Sequence, residues 1–248
     1  MLDMSKGRYV ARFANGRKDV DRALDLRWRA FRGGVGDARC DADSHDEICH
    51  HVLVEETRTG RLVAAFRLLV LRRGSEIAQC YSAQHYELSA LSGFGGRMVE
   101  MGRFCLDPAC HDPDVLRVAW GAMTAFVDAE GVEMIFGCSS FIGTDADPHL
   151  DAFAMLRERH LAPKRWLPEI KAPSVFRFGG RLRGRAPDPQ LAARGMPPLL
   201  RTYLAMGGWV SDHAVIDRDL GTMHVFTGLE VQAVPARRAH ALRAIAGV

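Results

Sequence analysis

The apolar pattern of this 248-residue chain changes period in an order that narrows the fold more than any single motif does. Over residues 8–14, Tyr9, Ala11 and Phe13 alternate with polar or small neighbours, the period of a half-buried strand, and Asn15-Gly16 turns the chain. Asp19 can cap a helix in which Val20, Leu24, Trp28 and Phe31 form one apolar stripe, closed by Gly33, Gly34 and Gly36. Residues 51–56 and 61–71 flank Thr59-Gly60 as a hairpin, and a second hairpin or edge follows Arg73-Gly74. Beyond it the pattern predicts a strand over 96–107, a helix over 114–130 stopped by Gly131, a short buried strand over 134–138 and a helix over 148–159. A helix over 197–206, a strand over 224–234 and a small basic helix over 237–248 complete the reading. Strand, helix, meander of strands, helix, strand, helix is not the strict alternation of a doubly wound sheet. It predicts an α+β fold on one mixed sheet.

Composition excludes whole classes of function. The 33 Lys and Arg against 30 Asp and Glu leave a formal net charge of +3, far below what a duplex-binding protein carries, so no nucleic-acid partner is expected. At 48% hydrophobic residues the chain can build a sizeable core, yet no apolar run approaches the roughly 18 residues of a membrane span, and 62–71 is broken by Arg67. Residues 1–12 lack the unbroken apolar stretch of a secretory signal, so a cytoplasmic protein is expected. The cysteines at 40, 49, 80, 105, 110 and 138 form no CxxC pair and read as reduced thiols. Cys49-His50-His51 finds no second pair to complete a four-ligand site, so no metal is expected.

Near-neutrality conceals two oppositely charged regions. Residues 37–56 hold seven acids against one arginine, a local trap for cations, whereas residues 157–201 hold eleven Lys or Arg against three acids.

The densest chemistry lies in Val99-Glu100-Met101-Gly102-Arg103-Phe104-Cys105-Leu106-Asp107-Pro108, which sets two charges inside an apolar strand. Simple alternation separates Glu100 and Arg103, but a bulge at Gly102 would return them to one side and free backbone N–H groups. A carboxylate beside free donors suits acyl transfer, the base taking a proton from an amine while N–H groups stabilise the oxyanion. An inward-facing ion pair that fixes sheet register fits the same residues.

Glu100-Met101-Gly102-Arg103-Phe104, with Arg67-Leu68-Leu69 and Arg27-Trp28-Arg29-Ala30-Phe31, resembles the GNAT-related acyltransferases that use acyl carrier protein. These include the acyl-homoserine-lactone synthases and the ornithine N-alpha-acyltransferases, often labelled hemolysin-like. The second branch matches further, through Tyr81-Ser82-Ala83, residues 136–145, Pro198-Leu199-Leu200-Arg201-Thr202-Tyr203-Leu204 and residues 217–226, so that the likeness covers about residues 8–235. The lactone synthases carry a tryptophan after the first helix, where this chain has Gly33-Gly34-Val35-Gly36.

The resemblance implies a GNAT-like core over residues 1–165, continued by a basic, strand-containing region over 166–248. It implies transfer of a long 3-hydroxyacyl chain from acyl carrier protein to the α-amine of L-ornithine, the first step of ornithine-lipid synthesis, with no further cofactor. Residues 109–121 lack the glycine-rich diphosphate turn of coenzyme A-using relatives and open the helix with acids, which disfavours coenzyme A. Glu100 is the expected base, with Arg103 and Ser139 beside it. Arg67 or Arg103 is expected to pair with the acceptor carboxylate, Phe31 to line the substrate site, and Asp41, Asp43, Asp46, Glu47 or Asp145 to hold the far ammonium. Arg157, Arg159, Lys164, Arg165 and Lys171 are expected to dock the acidic carrier protein, with an anionic membrane surface as the alternative for the same charges. The rival readings are a lactone synthase, a glycine or other amino-acid acyltransferase, and a membrane-acting protein without catalysis.

Overall fold

The computed structural model describes residues 3–33 and 41–247. In chain order the elements are β1 (Asp3–Lys6), β2 (Tyr9–Phe13), α1 (Arg17–Arg32), β3 (His50–Glu56), β4 (Leu62–Leu71), β5 (Tyr86–Glu87), β6 (Arg97–Leu106), α2 (Pro113–Glu130) and β7 (Val132–Ile142). They continue with α3 (Leu150–Arg159), β8 (Glu169–Ile170), β9 (Val175–Phe176), α4 (Phe178–Arg181), α5 (Pro189–Gly195), α6 (Pro198–Ala205), β10 (Trp209–Asp217), β11 (Thr222–Glu230) and α7 (Ala236–Ala246). The chain divides into two compact units, one drawn from Met1–Val70, Met101–Val132 and Pro235–Val248, the other from Leu71–Glu100 and Glu133–Val234.

In the first unit the strands run β1-β2-β3-β4 and then residues 101–106 of β6. Their alternation sends side chains to two helical layers. On one face Phe13, opposite Val52, meets Phe126 of α2 edge-on at 5.9 Å. On the other, Leu53, Ala65 and Cys105 pack with Ala23 and Leu26 of α1. Helix α2 begins where Asp112 accepts the Asp114 N–H and Pro113 occupies the first turn, and it ends on Gly131 in the left-handed region at φ 61°. Helix α7 lies against α2 at Gly121, where a Cβ would come within 2.8 Å of the Ile245 and Met4 side chains, so a larger residue there would force those side chains to shift.

The second unit carries the antiparallel order β7-β11-β10-β9 and a separate β5-β8 pair. Phe141, Met223, Val225, Val210 and Ala214 form one core with Ala152, Phe153 and Leu156 of α3. The β10-β11 register shifts between Val210 and Ala214, and Ser211 covers the break: its hydroxyl donates to the His213 carbonyl at 2.7 Å and accepts the Phe226 N–H at 3.1 Å.

The α+β arrangement of the sequence reading is present, with local differences. The segment after Arg73-Gly74 forms short 3-10 turns, Gly74–Gln79, Tyr81–Gln84 and Ser89–Gly93, instead of a hairpin. The helix expected over 148–159 opens with a 3-10 turn at Asp147–His149, and the late strand starts at Thr222 and ends at Glu230. Strand β10 has no counterpart in the sequence reading. Gly33 caps α1 at φ 62°, whereas Gly34, Val35, Gly36 and Cys40 lie outside the described residues. Among the described residues no helix is long and apolar enough to cross a membrane.

Candidate active site

Within the first unit, three guanidiniums and three carboxylates assemble around the turn Ser44–Glu47. Asp43 opens that turn, accepting the His45 N–H at 2.9 Å, while Asp46 reaches back to accept the Asp43 N–H at 2.9 Å. Arg27 of α1, 1% exposed, donates to Asp41 Oδ2 at 3.0 Å, to the Asp41 carbonyl at 2.5 Å and to Asp46 Oδ1 at 2.6 Å. Arg67 of β4 grips Asp43 with both ends, at 2.6 and 2.9 Å, and shares Asp46 Oδ1 at 2.6 Å. Arg103 of β6 reaches Asp43 at 3.0 Å and Asp41 at 3.3 Å. His51, opposite Arg67 across the β3-β4 pair, contacts the Asp46 carbonyl through Nε2 at 3.0 Å.

Pairing with opposite charges is what permits this burial, and Arg32 adds a further guanidinium 3.8 Å from Asp41. Burial by itself raises the Asp43 carboxyl, but Arg67 and then Arg103 outweigh it and hold the group well below the usual carboxylate range. Asp46 is lowered in the same way, against its own desolvation, by Arg27. Desolvation pulls the Arg67 guanidinium down, and Asp43 and Asp46 more than reverse it. Burial also lowers His51, leaving a neutral imidazole beside the cluster. Of the acids predicted to attract a cation, Asp41, Asp43 and Asp46 therefore already hold arginines of the same unit, with Asp43, its side chain 24% exposed, outermost.

Strand β6 departs from regular geometry one residue later than expected. Arg103, not Gly102, takes the left-handed conformation, at φ 52°, among the described residues the only non-glycine with positive φ. The ion pairs to Asp41 and Asp43 anchor the side chain that pays for it. Gly102 has the Arg67 side chain 3.6 Å from where its Cβ would stand.

In the second unit Glu100 is 4% exposed and its carboxylate faces the turn Tyr81–Gln84. The Tyr81 N–H donates to Oε2 at 2.8 Å; the Ser82 N–H and hydroxyl donate to Oε1 at 2.7 and 2.5 Å. Three donors fix the orientation of a group with about four acceptor positions. The Ser82 hydroxyl also lies 3.4 Å from Cys138 Sγ. Burial and then the nearby Glu100 charge raise the Cys80 thiol and the Tyr203 hydroxyl, so both stay protonated beside the carboxylate. In the first unit burial pushes Cys105 up to about 12, an inert core thiol.

The remaining predicted residues are dispersed. Ser139 is buried and accepts from the Thr227 hydroxyl at 2.9 Å. Phe31 packs beside the Ala23, Leu26 and Leu53 cluster. Asp145 and Glu47 are exposed, Asp145 accepting the Asp147 N–H at 3.1 Å. Arg157 and Arg159 lie on α3, Arg159 beside Glu158; Lys164 is exposed in the following turn; Arg165 pairs with Glu230 at 3.1 Å and stacks over Trp166; Lys171 donates to the Ala83 carbonyl at 2.6 Å. Arg27 and Ser82, central in the structure, were not singled out from sequence. Arg27 had a usable signal: with Leu24, Trp28 and Phe31 it completes an i, i+3, i+4, i+7 set, which places a charge on the buried stripe.

Residues 26–121 match the acetyltransferase (GNAT) domain family. Over 239 residues the chain is 32% identical to an L-ornithine N(alpha)-acyltransferase of Rhodobacter capsulatus, covering 91% of each protein. The chain belongs to the L-ornithine N(alpha)-acyltransferase family. A second member of that family, from Brucella abortus, is 28% identical over 247 residues, covering 93% of this chain and 87% of the relative. The fold extends beyond the L-ornithine N(alpha)-acyltransferases: FeeM, an N-acyl amino acid synthase from uncultured soil microbes, superposes with a TM-score of 0.51 at 10% identity over 92% of this chain and 94% of that one. As a member of the L-ornithine N(alpha)-acyltransferases the protein is an acyltransferase.

Proposed function

We propose that the protein transfers a long 3-hydroxyacyl chain from acyl carrier protein to the α-amine of L-ornithine, giving a lyso-ornithine lipid. The observation that carries this is the Glu100 carboxylate, buried and aimed by three donors. A free α-amine ordinarily titrates near pH 7.7–8.0, so it needs only modest help to become a nucleophile. As its nitrogen bonds the thioester carbonyl carbon, Glu100 takes the ammonium-derived proton. Collapse of the tetrahedral intermediate breaks the C–S bond, and the pantetheine thiolate leaves and recovers a proton from Glu100 or water. No covalent acyl-enzyme is required, in keeping with the raised, unreactive thiol of Cys105.

The start of α2 supports a carrier-protein donor. The amides there face acids of the same segment: Asp112 accepts the Asp114 N–H in the first turn, and in the turn before the helix Asp107 accepts the Ala109 N–H, each at 2.9 Å. Arg8 is paired with Asp112 and Arg61 with Asp107. A diphosphate would displace these contacts, whereas the pantetheine arm of a carrier protein makes no such demand. Of the predicted docking cations Arg159, Lys164 and Arg165 are exposed, and Arg157 is half-buried.

The test is one reaction set: purified protein with a 3-hydroxyacyl carrier protein or the matching coenzyme A thioester, and ornithine, norvaline or glycine as acceptor, with products identified by mass spectrometry. N-acyl-ornithine formed preferentially from the carrier-protein donor is the expected result. Equal use of both donors at every ionic strength overturns the donor assignment, and equal use of norvaline overturns the acceptor assignment.

A further inference from the structure

Beside Glu100, the second unit buries a histidine that the acyl-transfer step does not use. His224 of β11 is 3% exposed, and Nε2 has no hydrogen-bond partner. Its Nδ1 lies 3.1 Å from the Tyr86 hydroxyl, which donates to the His224 carbonyl at 2.7 Å. With the hydroxyl proton committed to the carbonyl, Nδ1 must be the donor to Tyr86, and Nε2 carries the lone pair. Burial, and then His85 and His213, lower the imidazole to about 3, so it is neutral and that lone pair is open throughout the physiological range.

Placement gives the acceptor a use. Cross-strand partners share a face, and His224 pairs with Ser140 while Phe226 pairs with Cys138. Cys138 Sγ touches the Ser82 hydroxyl that holds Glu100. His224 thus lies about 7 Å along the same sheet face from the Cys138–Phe226 pair, which contacts the serine that holds the base. Ser140 at its side is exposed although the imidazole is buried. Farther along that face Tyr86 and Phe136 pack on Phe226 at 5.7 Å each. No carboxylate among the described residues contacts the His224 ring, and the ring neighbours on either side, His85 and Tyr86, bring no negative charge. The position suits a neutral donor on an otherwise apolar ligand, not an ammonium.

We propose that His224 Nε2 accepts a hydrogen bond from a hydroxyl close to the thioester of the acyl chain, and thereby selects hydroxylated over plain acyl donors. The inference rests on the acyl-transfer reading above. A plain chain would leave the buried lone pair unmet, which is the stronger source of discrimination.

The experiment compares kcat/KM for 3-hydroxyacyl and plain acyl carrier protein of equal length, with ornithine as acceptor. The wild-type protein should prefer the hydroxylated chain by roughly 10–100-fold. His224→Leu should bring the preference to within about threefold, mostly by losing rate on the hydroxylated donor, while His224→Gln, with an amide oxygen at similar reach, should keep most of it. Tyr86→Phe removes the group that fixes the tautomer and should erode the preference without touching the imidazole, so the idea stays open to refutation if His224→Leu does not fold. A wild-type protein indifferent to the hydroxyl, or a folded His224→Leu with undiminished preference, overturns the proposal and leaves ornithine acylation standing. Absence of acyl-ornithine from both donors overturns the acyl-transfer reading itself.

Discussion

Ser82 meets one oxygen of Glu100 twice, its N–H at 2.7 Å and its hydroxyl at 2.5 Å from Oε1. The second oxygen has only the Tyr81 N–H at 2.8 Å, so the carboxylate presents Oε2 as its less encumbered side. Glu100→Gln keeps the shape but puts an NH2 against donors, and should lower kcat by about 10²–10⁴. Ser82→Ala removes one of three orienting bonds and should cost far less, on the order of tenfold in kcat with KM nearly unchanged. Steady-state kinetics on both variants checks the ranking, and near-native turnover by Glu100→Gln would remove the residue from the mechanism.

Arg27 holds Asp41 and Asp46 in a place with almost no solvent. Arg27→Met preserves much of the volume but leaves two buried carboxylates short of a partner, and should destabilise the protein by about 3–5 kcal/mol. For a chain of this size that corresponds to a Tm lower by roughly 6–20 °C, measurable by thermal unfolding monitored by circular dichroism.

The left-handed Arg103 separates backbone from side-chain effects. Arg103→Ala and Arg103→Gly both delete the ion pairs to Asp41 and Asp43, but only alanine retains the penalty of positive φ. The glycine variant should therefore be more stable than the alanine variant by about 1 kcal/mol, with both below wild type. Urea unfolding of the pair decides it. Equal stabilities would mean the backbone relaxes once the guanidinium is gone.

Acid should weaken the protein in two stages. His224 titrates near 6.5 when unfolded and near 3 when folded, so the unfolded chain takes up the proton first. Its contribution is complete above pH 6.5 and is lost as pH falls toward 3, at up to about 1.4 kcal/mol per pH unit. Between pH 7 and pH 5 the unfolding free energy should drop by about 2 kcal/mol from this group, a drop that His224→Gln should largely abolish. Below pH 4 Asp43, depressed by Arg67 and Arg103 against its own burial, adds a second decline that Asp43→Asn should remove. Denaturant unfolding across pH 3–8 tests both stages.

The sequence revealed elements whose apolar period was clean and missed those shaped by partners. Tyr9, Ala11 and Phe13, the α1 stripe and Gly131 after α2 each announce a local geometry, and each element is present. Strand β10 was hidden because Ser211-Asp212-His213 interrupts its alternation where the ladder breaks, a defect that Ser211 mends only in the folded sheet. Asp3–Lys6 has no strand propensity of its own and is held by pairing with β2. In the site, two charges inside an apolar strand pointed to Glu100 and Arg103. Sequence could not show that Asp41, Asp43 and Asp46 would be matched by arginines, because the matching residues come from α1, β4 and β6.

The lodging of α7 against Gly121 sets an order of completion during synthesis. Every residue of the second unit has been made by Val234, whereas the first unit, begun at β1, lacks the helix that covers α2 until the segment after Pro235 emerges. From the completion of α2 at Glu130 until the segment after Pro235 emerges, the nascent chain therefore carries its earliest strands beside an uncovered helix surface. That interval, and not the finished fold, is when the protein most needs protection from aggregation.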